Sequence, residues 1–99
     1  MPVVPEDGDI ACLVRITGRV QGVWYRGWTS DEAVQRGVRG WVRNCRDGSV
    51  EALFAGPALS VREMIDACKQ GPAAANVHSV EAEMVDVPEQ RGFEQRPTA

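Results

Sequence analysis

The pair Asp47-Gly48 constrains the fold more than any other two residues of the chain. It separates two strand-like runs, Val38 to Cys45 and Ser49 to Ala55. Asp-Gly between such runs is a strong hairpin signal, because both turn positions favour positive φ. An antiparallel pair therefore occupies the middle of the sequence, and the flanking segments must pack around it.

On the N-terminal side, Ile10 to Thr17 reads as a strand, with Ile10, Cys12, Val14 and Ile16 on one face at period two. Gly18-Arg-Val-Gln-Gly22 breaks it. A helix is predicted next, from about Val23 or Trp24 to Arg36. Tyr25, Trp28, Thr29, Glu32, Ala33 and Arg36 recur at i, i+3, i+4, Gly37 suits the position just past the end, and Gly27 weakens the first turn. On the C-terminal side, Gly56-Pro57 ends the second hairpin strand. Ser60 and Glu63 form the pattern of a capping box, Val61, Met64, Ile65 and Cys68 mark one helical face, and Gly71-Pro72 stops the helix. Val77 to Val87 is a further strand with Val80, Ala82 and Met84 on one side, and a short last strand lies near Phe93. The order β-α-β-β-α-β plus a short final strand is that of an α+β, ferredoxin-like sandwich, with two helices on one face of a mainly antiparallel sheet. Residues 1–9 read as a flexible lead-in and residues 10–99 as one domain, the natural number for 99 residues.

Composition narrows the function. Apolar residues at 43% and charged residues at 25% are ordinary globular values. No apolar run is long enough to cross a bilayer, so no membrane role is expected. The N-terminus lacks the basic region and apolar core of an export or transit signal. Three scattered cysteines (Cys12, Cys45, Cys68) without a CxxC pair, and one histidine, argue against a zinc site and for reduced thiols in a cytoplasm. Pairing of two of them stays open. The net charge of −3 argues against general nucleic-acid binding. The charge is unevenly placed, however. Residues 15 to 46 hold seven arginines and two acids, a local net of +5, while the remainder holds four bases and twelve acids, a net of −8. That positive field attracts a small anion, although solvated arginines account for most of it equally well.

Two segments carry candidate chemistry. In Gly18-Arg-Val-Gln-Gly-Val-Trp-Tyr-Arg26 a strand runs through a glycine-containing loop into a helix start. The first N–H groups of a helix have no partner within it, and with the helix dipole they form a site for a phosphate-sized anion. Gly18 and Gly22 let the backbone curl, and Arg26 brings a guanidinium that grips two phosphate oxygens. On spacing alone a plain strand–helix connection explains the segment as well. In the second segment, Gly40-Trp-Val-Arg-Asn44 running on to Glu51, Asn44 lies just before the hairpin turn. Asparagine is a poor strand residue. It either caps the turn through its side chain or holds a water with its amide.

Together the two segments resemble the signatures of the acylphosphatase family. Gly18-Arg-Val-Gln-Gly-Val-Trp-Tyr-Arg26 is similar to the first, and Gly40-Trp-Val-Arg-Asn44 followed by Asp47-Gly-Ser-Val-Glu51 to the second. Thr29, Ala33, Gly37, Gly71-Pro72 and Phe93 extend the likeness, while Gln95 departs from it, since a more apolar residue is usual there. The resemblance implies hydrolysis of acyl phosphates to carboxylate and inorganic phosphate, without cofactor or metal. It implies that Arg26 binds phosphate, that Asn44 orients the attacking water, and that Arg19, Val20, Gln21, Gly22 and Val23 supply backbone N–H groups to the substrate. The absence of an acid–base pair in these segments suits such a reaction, because the leaving carboxylate, with a pKa of about 4, needs no proton to depart.

The alternative is a non-catalytic ferredoxin-like module binding a ligand or RNA. An RNA platform wants aromatics on the open face of strands one and three. Strand one has none, and Phe54 shares the parity of Val50 and Ala52, which points it to the core. An accessory domain within a larger enzyme is a second alternative. His78 reads as a surface or core-edge residue on the side of Val80, Trp41 as packing, Trp24 and Trp28 as walls of the first helix, and Thr29 as support for its start. A monomer acting on a small acyl phosphate is the default expectation.

Overall fold

The computed structural model describes residues 8–99. Its elements run β1 (Asp9–Arg19), α1 (Tyr25–Gln35), β2 (Arg39–Asn44), β3 (Val50–Pro57), α2 (Ala58–Cys68), β4 (Asn76–Val85) and β5 (Phe93–Gln95). The strands form one sheet in the order β4-β1-β3-β2-β5. All pairs are antiparallel except β2 with β5. The lead-in expected over residues 1–9 lies outside the described residues up to residue 7, and Asp9 already pairs with Pro57.

Alternation decides the core. Ile10, Cys12, Val14 and Ile16 of β1, Val42 of β2, and Val50, Ala52 and Phe54 of β3 turn to one face, where Tyr25 and Ala33 of α1 and Val61, Met64 and Cys68 of α2 meet them. Truncating a fully buried side chain such as Met64 to alanine costs roughly 2–5 kcal/mol. Phe54 is fully buried and stacks on Phe93 at 6.0 Å between centroids, which holds the short β5 against the sheet edge. Trp41 lies on the opposite face between the guanidinium groups of Arg43 and Arg96, at 4.8 and 4.9 Å.

Three expectations need correction. The hairpin is present, but only Gly48 has positive φ, at 94°, and Asp47 does not. The bonds from Cys45 N–H to Ser49 O and from Gly48 N–H to Cys45 O close a three-residue loop, in which a type I turn ends on a left-handed glycine. Helix α2 starts at Ala58, directly after Pro57, so Ser60 lies inside its first turn and caps nothing. The proline directs the chain into the helix three residues earlier than the capping pattern suggests. Finally, β4 ends at Val85 and not at Val87, and a bulge between Thr17 and Gly18 shifts its register, so that Val77 packs against the core while His78 is exposed, the surface placement expected for it.

Candidate active site

The chain leaves β1 at Arg19, curves through residues 20–24 and enters α1 at Tyr25. Val20 and Val23 are buried in the core and peg the curve from below. Between them Gly22 sits in open space with φ 74°, a conformation that costs a residue with Cβ. Gly18 serves a different purpose from the one expected. It lies within β1 at the bulge, and a Cβ there would stand 2.3 Å from the carbonyl oxygen of Asn76. That glycine admits β4, not a ligand.

The curve, the helix start and the end of β2 enclose a pocket of about 180 Å³. Val20, Gln21 and Gly22 line it from the loop, Arg26 and Gly27 from the first turn of α1, and Asn44 from β2. Asn44 shares the parity of Val42 and so faces the helix layer. Trp24, Tyr25 and Gln95 complete the lining. Of the residues read from the sequence, Arg26, Asn44, Val20, Gln21 and Gly22 come together here. Arg19 and Val23 do not line the pocket. Arg19 is the exposed last residue of β1, and the Val23 side chain points into the core.

Buried contacts hold each wall. The Tyr25 hydroxyl donates to the carbonyl of Cys68 at the end of α2 at 2.6 Å, and the Thr29 hydroxyl donates to the Tyr25 carbonyl at 2.8 Å. Burial, chiefly, pushes the Tyr25 hydroxyl above the ordinary tyrosine range and the Cys68 thiol up to about 12. The residue before Arg26 is thereby fixed between both helices. Across the pocket, Gln21 Nε2 donates to the carbonyls of Cys45 and Ser49, both at 2.8 Å. This ties the curved loop to the hairpin that presents Asn44.

Asn44 does not cap the turn. Asp47 does: its Oδ1 accepts from Ser49 N–H at 2.9 Å and from Ser49 Oγ at 2.6 Å. The Ser49 hydroxyl first, then the Ser49 N–H and Arg15, hold the Asp47 carboxyl below the usual carboxylate range. Among the described residues, the Asn44 carboxamide and the Arg26 guanidinium have no hydrogen-bond partner. The arginine-rich segment divides likewise. Arg15, Arg36, Arg39 and Arg43 pair with Asp47, Glu32, Asp9 and Glu51. Arg19, Arg26 and Arg46 pair with no carboxylate among the described residues, and these three belong to the strand end, the helix start and the hairpin that frame the pocket. Of these three, Arg26 is the one that lines the pocket.

The sequence reading overlooked the side-chain clamp of Gln21 and the place of Gln95 and Gly27 in the wall. A polar residue at the end of a strand beside an otherwise apolar edge was the available signal for Gln95. Among the described residues, no three histidine, cysteine or carboxylate side chains gather as metal ligands, the three cysteines are free thiols, and no helix is long and apolar enough to cross a membrane.

A small ferredoxin-like sandwich, with an arginine and an asparagine facing one anion-sized pocket at a strand–helix junction, defines the class of protein. The chain belongs to the acylphosphatase family, whose family model matches residues 12–95. It is 54% identical over 86 residues to an acylphosphatase of Rhodospirillum rubrum, which covers 87% of this chain and 94% of that protein. Among solved structures, an acylphosphatase from Coxiella burnetii superposes with a TM-score of 0.88 at 27% identity, covering 95% of this chain and 100% of the other. An acylphosphatase from Bacillus subtilis gives 0.84 at 31% identity, covering 88% and 98%. The ferredoxin-like α+β fold read from the sequence is the fold of these relatives.

Proposed function

We propose that the chain hydrolyses acyl phosphates to a carboxylate and inorganic phosphate in the pocket between α1 and β2. Backbone N–H groups of residues 20–23 and the guanidinium of Arg26 hold the phosphoryl oxygens, with Arg19 and Arg46 adding to the attracting field. The Asn44 carboxamide orients one water for in-line attack on phosphorus. The bond from phosphorus to the acyl oxygen breaks, the carboxylate leaves with the bonding electrons, and the water's proton passes to a phosphoryl oxygen. Charge stabilisation and positioning carry the rate.

One observation supports this reading above the others: two polar side chains from different elements, unpartnered among the described residues, border one 180 Å³ pocket beside a helix start. A carboxylate that departs without a Lewis acid, and a guanidinium beside the phosphoryl oxygens, favour a metal-independent reaction. Free thiols at all three cysteines favour a reducing cytoplasm. The exposed large apolar side chains Trp24, Val34 and Leu59 are scattered, and Met84, Val85 and Val87 lie together only at the end of β4 and just past it, which favours a monomer. Nucleic acid is a poor partner, since the open faces of β1 and β3 carry no aromatic residue.

The test is release of phosphate from benzoyl phosphate in EDTA. Arg26→Ala should lower kcat/KM on the order of 100- to 1000-fold and weaken inhibition by phosphate. Asn44→Ala should lower kcat on the order of 100-fold or more while phosphate still inhibits. Salt-sensitive RNA binding with benzoyl phosphate left intact would favour the binding module instead.

A further inference from the structure

Trp24 stands where a bulky residue is disfavoured. It precedes α1 with φ 66° and ψ 25°, and is the one non-glycine residue with positive φ among the described residues. For a large side chain this left-handed conformation is an outlier, and such strain gathers at ligand sites where the surroundings impose it. Burial does not compensate for it, because Trp24 is 64% exposed, whereas Trp41 is 9% exposed. A second cost sits beneath it. Gly27 lies in the first turn of α1, and a Cβ there would come within 2.2 Å of the indole Nε1 and 2.5 Å of Cε2. A helical glycine is thus kept where any other residue would displace the indole. The two unfavourable features have one joint result: an exposed indole laid over the helix start, on the rim of the pocket that Arg26 and Asn44 border.

Resting on the reading of that pocket as the phosphoryl site, we propose that Trp24 receives the acyl group of the substrate, and that the chain favours acyl phosphates with aromatic or extended apolar acyl groups. Attack by water held on the β2 side sends the leaving carboxylate away from β2. The α1 side of the pocket, where Trp24 and Gly27 lie, is the wall that remains. A planar acyl group stacks there on the indole while the phosphoryl group sits in the loop. The other tryptophans cannot take this part, since Trp28 packs against the core and Trp41 lies on the opposite face of the sheet.

The experiment compares kcat/KM for benzoyl phosphate and acetyl phosphate in the unmodified protein, in Trp24→Asn and in Gly27→Ala. Asparagine tolerates the left-handed backbone, so the first variant removes the indole and keeps the loop. Alanine strengthens the helix, so the second keeps the tryptophan but pushes its ring aside. The ratio of benzoyl to acetyl kcat/KM should fall about three- to tenfold in both. An unchanged ratio, or equal losses on both substrates, overturns the proposal and leaves the proposed function standing. An unmodified protein that hydrolyses neither substrate overturns both.

Discussion

Gln21 is the residue through which the two walls of the pocket are joined, and its replacement can be reasoned from the bonds it makes. Gln21→Ala removes two donated hydrogen bonds of 2.8 Å, to the carbonyls of Cys45 and Ser49. Neither carbonyl is orphaned. The first still accepts from Gly48 N–H and the second from Cys45 N–H. The loss is therefore the net value of two part-buried bonds, about 1–2 kcal/mol, and not the penalty of buried unsatisfied groups. With a urea m-value of roughly 1–2 kcal/mol/M, the midpoint should fall by about 1 M. Val20 and Val23 still peg the loop, so the fold survives. Catalysis should suffer more than stability, because the loop that holds phosphate is no longer tied to the strand that holds water. A small misplacement costs on the order of 10- to 100-fold in kcat/KM. Gln21→Glu separates clamp from bulk: its carboxylate faces two carbonyl oxygens and must lose activity at neutral pH, then regain part of it on acidification, when the protonated acid can donate once more. Urea melts and acyl phosphate kinetics at two pH values decide the matter. A stability loss with kcat/KM intact in both variants would refute the reasoning.

Tyr25→Phe should cost about 1–3 kcal/mol by urea denaturation, since the buried Cys68 carbonyl loses the hydroxyl that donates to it. Asp47 has a depressed pKa in the folded protein, so its contribution is present above the ordinary aspartate value and is lost as pH falls through the lower folded value. Asp47→Asn should accordingly flatten the decline of Tm below about pH 4, as followed by circular dichroism. Gly18→Ala should destabilise through the clash with Asn76 O and the detachment of β4, while phosphate inhibition of the remaining folded protein stays near normal. Between pH 5 and 9, log kcat should be flat; a bell-shaped profile would reveal an acid or base that the pocket does not supply.

The order of elements was legible because it rests on local patterns. Alternation in β1, the Asp-Gly turn and the apolar face of α2 each depend on residues within one or two turns of chain. What escaped the sequence depends on contacts between distant segments. Gly18 looked like a ligand loop because nothing nearby discloses that Asn76 presses against it. His78 kept the parity of Val80 until the bulge against β1 broke the register. The capping box of α2 was a valid local pattern overruled by the proline three residues before it. For the site, Arg26 and Asn44 were legible as signature positions. That they face one pocket follows from β2 lying two strands from β1, with α1 bridging the gap. The Gln21 clamp was hidden for the same reason: its residue type is neutral, and only the hairpin opposite gives it two acceptors.

The residues around the pocket also limit what can be hydrolysed there. Only Arg26 and Tyr25 among the lining residues carry titratable groups. The guanidinium is a permanent cation. The Tyr25 hydroxyl is committed to Cys68 O, and burial pushes it further from titration. No lining group can therefore hand a proton to a departing oxygen near neutrality. A phosphate ester of an alcohol would have to expel an alkoxide unaided, at a prohibitive cost in rate. An acyl phosphate expels a carboxylate, which is stable as an anion from about pH 4 upward. A pocket that binds the phosphoryl group strongly and contributes no acid discriminates through the leaving group itself. Its selectivity for acyl phosphates over phosphate esters then rests on which chemistry is left out of the wall, as much as on the groups built into it.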